Sequence, residues 1–281
     1  RRVLASPMMQ ETALRALFSL LVTAVLWPSL ARAEGAVELE TWPLTELEEP
    51  SGITYHAGRK TLFVVSDEGG IYEVSTTGKL LASGKVGGDL EGVTSDPASG
   101  LVYIVREGHE VIFEIDPGDL SIKRRFTIDR GFGGNEDFLE RGGDGIEGLT
   151  FVPVKGHKEG GRFFAVNQND PPVLLELSLP IRSSTERFAS ARVIEAYKVG
   201  SAPLSGVTWD PLGGRLLIVS ALWRVAYLAD TEGLYQGSAD IPGLMQEGIA
   251  RLPDGALVIA QDSGGLIRWK PVGKLAESSG Q

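Results

Sequence analysis

The sequence predicts an all-β fold made of one unit used five times, and three observations carry that prediction. A glycine-centred echo recurs at Pro50-Ser51-Gly52-Ile53-Thr54, Leu90-Glu91-Gly92-Val93-Thr94, Ile146-Glu147-Gly148-Leu149-Thr150, Leu204-Ser205-Gly206-Val207-Thr208 and Gln246-Glu247-Gly248-Ile249-Ala250. Each copy opens a series of β-rich runs of strand length, separated by Gly, Asp and Ser clusters. The echoed glycines lie 40, 56, 58 and 42 residues apart. The shorter intervals suit a propeller blade, a four-stranded antiparallel meander.

The first unit reads as strands at 53–56, 62–65, 71–74 and 79–86, and the second as strands at 92–95, 101–105, 111–115 and 122–128. A Gly-rich acidic insertion at 131–145, containing Glu136, Asp137, Glu140 and Asp144, precedes the third unit. Residues 155–161 and 182–190 lengthen its connections. The fifth unit offers three strands, at 248–252, 256–260 and 266–269, so its fourth is assigned to 36–42 at the start of the chain. That pairing would remove an exposed sheet edge. The expected architecture is a β-propeller of five blades closed by an N-terminal strand; six blades, one of them degenerate and using the insertion, is the alternative.

Residues 1–33 read as a secretory signal, with Arg15, an apolar stretch at 16–30 and the small-x-small site Ala31-Arg32-Ala33. Translation would start at Met8 or Met9, and residues 34–281 would form one domain. An uncleaved anchor is the alternative, the apolar stretch being short for a spanning helix. The chain has no cysteine and carries a formal net charge of −10. Disulfides, thiolate metal sites and cysteine nucleophiles are thereby excluded. Such acidity argues against nucleic acid and anionic lipid, whose binding rests on Lys and Arg, and favours cations or basic partners.

In an up-and-down blade, the start of the first strand and the end of the second share one mouth. Those positions hold Ser51, Glu91, Glu147, Ser205 and Glu247, and Asp67, Arg106, Asn167, Ser220 and Asp262. Converging carboxylates need raised pKa values, basic neighbours or a metal ion. Glu91, Glu147, Glu247, Asn167, Asp262 and Asp67 offer only oxygen ligands, which suit Ca²⁺ first, with Mg²⁺ or Mn²⁺ as alternatives. A purely architectural role for the Glu set, accepting backbone N–H groups, is the competing reading. One of Asp67 and Asp262 also reads as a turn former. Arg106 and Arg224 are the candidate anion or partner contacts, or else partners of the Glu ring. No catalytic motif is present; His109 is the single candidate general base, with a solvated loop residue as the alternative. Trp209, Trp223 and Trp269 are expected to pack between blades.

The Glu-Gly starts, with Phe63-Val64-Val65-Ser66-Asp67-Glu68 and Asp89-Leu90-Glu91-Gly92-Val93-Thr94, resemble the SdiA-regulated family that includes the YjiK and CarP proteins. The resemblance spans about residues 36–271. It implies an exported, periplasmic or membrane-associated bacterial propeller with a calcium-linked role; a sensor, scaffold or calcium-homeostasis function, with a protein partner at the acidic mouth, is the expectation that follows. The same starts are more distantly similar to gluconolactonase-type propellers, which hold a divalent ion through a Glu, an Asn and an Asp. That likeness implies, as the alternative, a metal-dependent hydrolase of a lactone, ester or phosphate ester.

Overall fold

The computed structural model describes residues 38–140, 145–201 and 203–276. They belong to a compact unit spanning Gly35–Gln281. The signal reading at 1–33, the first two residues of the predicted N-terminal strand, and Asp144 lie outside the described residues.

The first unit comprises β2 (Pro50–His56), β3 (Thr61–Ser66), β4 (Gly70–Ser75) and β5 (Leu80–Lys85), and the second β6 (Leu90–Ser95), β7 (Val102–Arg106), β8 (Val111–Asp116) and β9 (Ser121–Asp129). The third holds β10 (Ile146–Pro153), β11 (Gly161–Asn167), β12 (Val173–Ser178) and β13 (Phe188–Tyr197), and the fourth β14 (Gly206–Asp210), β15 (Arg215–Ser220), β16 (Val225–Ala229) and β17 (Tyr235–Asp240). The fifth contributes β18 (Gln246–Arg251), β19 (Leu257–Gln261) and β20 (Leu266–Lys270). Strand β1 (Glu38–Trp42) pairs antiparallel with β20, from Glu38 opposite Lys270 to Trp42 opposite Leu266. All neighbours within a unit are antiparallel, and one 3₁₀ turn (Gly273–Leu275) is the only helical element among the described residues. No helix among them is long and apolar enough to cross a membrane.

Burial falls from the inner strands to the outer ones. Strand β3 is buried at every residue, whereas the outer β5 is mostly exposed. Continuous apolar runs such as Leu62-Phe63-Val64-Val65 therefore sit where both sheet faces are covered, and mixed sequences sit outermost. The apolar side chains form five clusters, each shared by two adjacent units, with the fifth joining the last unit to the first.

The echoed glycines are explained by a close approach of backbones, since a Cβ on any of them would lie under 3.0 Å from the next unit. Gly52 faces Glu91 O, Gly92 faces Leu149 N, and Gly206 faces Glu247 O; from Gly148 the distance to Val207 N would be 2.7 Å, and from Gly248 to Ser51 O 2.7 Å. The order is cyclic, because the fifth glycine meets the first unit. The echoed threonines lock the same seam: Thr94 Oγ1 accepts the Phe151 N–H at 2.9 Å, and Thr150 Oγ1 accepts the Trp209 N–H at 2.8 Å.

The second and third units share one eight-stranded sheet, because the outer strands β9 and β13 pair in parallel from Arg125 opposite Phe188 to Asp129 opposite Arg192. The insertion at 182–190 makes this possible. Arg124 bonds Glu114 and the carbonyls of Ile181 and Ser184, holding the insertion on the second unit while each outer edge covers the other. The insertion at 131–145 adds no strand among its described residues; it plugs Leu139 into the core between the second and third units. Trp269 is buried and Trp209 packs on the third–fourth cluster, but Trp223 stands 57% exposed on a turn.

Gly92→Ala should destabilise the protein by at least about 2 kcal/mol in urea unfolding, because an overpacked backbone seam cannot relax locally. Gly58→Ala is the control, since its Cβ would meet only the His56 ring at 3.4 Å. Equal effects from the two would remove the steric account of the repeat.

Candidate metal centre

A β-bulge interrupts the start of the first strand in four units, between Pro50 and Gly52, Leu90 and Gly92, Ile146 and Gly148, and Gln246 and Ile249. Bulges re-aim side chains. Here they coincide with Ser51, Glu91, Glu147 and Glu247, and all four side chains line one narrow cavity walled by the echoed glycines. Its free space is about 10 Å³, room for roughly one water.

Three carboxylates in so small a space resist ionisation. Burial, then the charges of Glu147 and Asp67, pushes Glu91 far above the usual carboxylate range. Burial, then Glu107 and Glu247, does the same to Glu147. Glu247 is raised to about 8 by burial and by Asp262 and Asp67. Asp67 rises to about 6, mainly through burial, even though the Ser51 hydroxyl donates a hydrogen bond to its Oδ1.

Asp67, Asp89 and Glu91 bring one ligand oxygen each within 4.8 Å of one another, the one such trio among the described residues. Oxygens around Ca²⁺ at 2.3–2.6 Å can lie no more than about 5 Å apart, so the separations within the trio do not exceed the span of one coordination sphere. Sequence reasoning singled out Asp67 and Glu91 and missed Asp89. The signal was an acid two residues before Glu91, a position that also holds an acid, Glu49, before Ser51.

The register also moves the second set of mouth residues. The backbone N–H groups of Asp67, Glu107, Gln168 and Asp262 donate to Glu49 O, Asp89 O, Gly145 O and Met245 O, which makes these four residues equivalent. Arg106 and Asn167, expected at those positions, fall one residue earlier. Glu107 stands beside Glu147 instead, accepting the Gly145 N–H at 2.6 Å. Arg106 lies over the Phe113 ring at 5.4 Å. Asn167 Nδ2 donates to the carbonyls of Asn169 and, at 2.9 Å, Pro171, bracing its own loop. Arg224 is exposed on the β15–β16 turn. His109 lines a hollow with Asp129, Arg130, Glu136 and Asp137 that none of the three Glu lines. That part of the insertion is tied down by Arg130, which pairs with the buried Glu110 and donates to the carbonyl of Glu140.

The raised carboxyls set the sign of the pH dependence. Between the ordinary value near 4.5 and the folded value, the folded state holds protons that the unfolded chain has released, so stability falls as pH rises. In chelator, the urea midpoint should therefore drop from pH 5 to pH 8. Glu247→Gln should recover on the order of 1–3 kcal/mol at pH 8, after discounting for its partial exposure. A midpoint that climbs over that window would contradict the burial of the Glu set.

No curated protein matches the sequence. Among solved structures, Myxococcus xanthus glutaminyl cyclase superposes with a TM-score of 0.58 at 14% identity, over 85% of this chain and 97% of that one. A protein of unknown function from Bacteroides caccae gives a TM-score of 0.49 at 12% identity, over 75% and 69%. At such identity the first likeness speaks to fold alone, which is propeller-like. The SdiA-regulated family model matches residues 29–263, most of the sequence, and the chain belongs to that family.

Proposed function

We propose that this protein is a five-bladed β-propeller, closed by β1 on β20, that binds a calcium ion at its acidic mouth and serves as a calcium-responsive sensor or scaffold. The blade count is supported by the cyclic order in which the glycines and apolar clusters meet. The ion-binding reading is carried by the 4.8 Å trio of Asp67, Asp89 and Glu91. Burial and neighbouring carboxyls raise both Asp67 and Glu91 above the ordinary carboxylate range, and a divalent ion would supply a compensating charge that both can share. Glu147 and Glu247 would then feel the ion through the cavity. Mg²⁺ fits less well, because it demands octahedral geometry at 2.0–2.1 Å and keeps its waters.

Hydrolysis of a lactone, ester or phosphate ester would need a base beside the ion. His109, the residue expected for that role, lies in a different hollow. Binding is therefore the reading adopted. Export, to the periplasm or its membrane surface, rests on the sequence of residues 1–33. It is checked by intact-mass measurement of the secreted chain, for which a mature start at Glu34 is expected.

Calorimetric titration with Ca²⁺ should give one site per chain, weakened at least tenfold by Asp89→Asn and by Glu91→Gln. Because binding displaces protons, apparent affinity should rise from pH 6 to pH 8. Binding left unchanged by both variants would refute the trio.

A further inference from the structure

The mouth face carries a ridge of exposed apolar side chains on its fourth- and fifth-unit side. Leu222 and Trp223 stand on the β15–β16 turn, Leu244 and Met245 on the connection from β17 to β18, and each is more than half exposed. Hydrogen bonds make the backbone beneath them one continuous surface. The Ile241 N–H donates to Arg224 O at 3.0 Å, joining the turn to the connection, and the Asp262 N–H donates to Met245 O at 3.0 Å, joining the connection to the β19–β20 turn. The Ser263 hydroxyl donates to Leu244 O at 3.3 Å across the same junction. Arg224 and Met245 both take left-handed backbone, at φ 55° and 51°. That conformation is costly for a residue with a side chain, and it gathers at binding sites. Monomeric proteins rarely expose contiguous apolar surface that meets no other molecule, and Trp, Met and Arg are the residues enriched where proteins touch.

We propose that this ridge docks an amphipathic basic segment of another protein, its apolar side chains on Leu222, Trp223, Leu244 and Met245 and its Lys or Arg residues over the acids beyond Met245. Charge selects that occupant. Arg224 stands exposed at one end of the ridge; at the other, Asp262 shares a solvent-open hollow with Glu48, Glu49 and Glu68, and no Lys, Arg or His lines it. A segment lying along the ridge is thereby oriented, cationic residues toward the acids and an acidic or neutral residue toward Arg224. A second copy of this chain does not fit. It carries a formal net charge of −10 and the same acidic rim, so like charge would face like charge. Anionic lipid is disfavoured on the same ground. The docking goes beyond the ion-binding reading and does not depend on it, because neither the four apolar residues nor Asp262 belongs to the trio of Asp67, Asp89 and Glu91.

The test is therefore run in EDTA. The probes are a fluorescently labelled peptide of Leu and Lys at helical spacing, the same composition with its apolar periodicity scrambled, and a version with Glu in place of Lys. Binding is read by anisotropy on the wild type and on two double variants, Leu222→Ser/Leu244→Ser and Glu48→Gln/Glu68→Gln, which alter exposed residues and should leave the melting temperature unchanged. The Leu–Lys peptide should bind, and the scrambled and Glu versions should bind at least tenfold more weakly to the same wild-type protein. Leu222→Ser/Leu244→Ser should cost at least tenfold, and Glu48→Gln/Glu68→Gln a smaller factor. Dimerisation of the wild type in sedimentation, lost in the Leu double variant, would assign the ridge to a second copy. Co-sedimentation with phosphatidylcholine vesicles, lost in the same variant, would assign it to lipid. Either result overturns the proposal, as does peptide binding that is absent or indifferent to the Leu substitutions.

Discussion

Five glycines hold neighbouring backbones so close that no side chain fits between them, and the rest of the molecule follows from that approach. Glycine is the residue that permits it. With Cβ atoms absent, each first strand presses on the next, which leaves the ring of first strands too tight to contain more than about 10 Å³ of free space. The bulge one residue earlier then turns a side chain into that space. Packing thus creates the electrostatic problem at the centre of the fold, because the side chains turned inward include three glutamates with almost no water to solvate them.

The molecule eases that problem in two ways. The counterparts of the three glutamates in the first and fourth units are serines, and both hydroxyls are hydrogen-bonded: Ser51 donates to Asp67, while Ser205 donates to Gln246 O at 2.8 Å and accepts the Ala221 N–H at 3.2 Å. Glu91 and Glu147, both raised by burial and neighbouring charge, take up protons more readily than ordinary carboxylates. Protons and a divalent cation are alternative occupants of the same negative potential, so stability and ion affinity should move in opposite directions as pH rises. A carboxylate set held only as architecture would gain nothing from being so poorly solvated.

Much of this was legible in the sequence and some of it was not, for physical reasons. The unit, the N-terminal strand that pairs with β20, and the convergence of Glu91, Glu147 and Glu247 all follow from a repeated glycine and apolar runs. The placing of Arg106 and Asn167 failed by one residue because an apolar run does not mark the last paired residue of the second strand, which is Arg106 opposite Leu90 and Asn167 opposite Ile146, just as it is Ser66 opposite Pro50. Asp67 and Asp262 already stood at the true position, and Glu107 and Gln168 are their counterparts. Asp89 escaped notice because it lies before the echo rather than within it. The parallel pairing of β9 with β13 is a long-range contact made by an insertion, and no local periodicity encodes it.

The unit recurs five times along the chain but its charge does not, and that asymmetry decides where acids gather. At the position after the second strand, the first, second and fifth units hold Asp67, Glu107 and Asp262, whereas the third and fourth hold Gln168 and Ala221. One turn earlier, the first two units hold Glu49 and Asp89, and the third, fourth and fifth hold Gly145, Pro203 and Met245. Acids therefore gather between the first and second units, where Asp67, Asp89 and Glu91 meet. The acidic pocket at the junction of the fifth and first units lies beside it, with Asp262 and Glu49 each acting on the Asp67 carboxyl. A cation at the trio would lower the field felt by these neighbouring acids, so the repeat supplies the geometry and the departures from the repeat supply the chemistry.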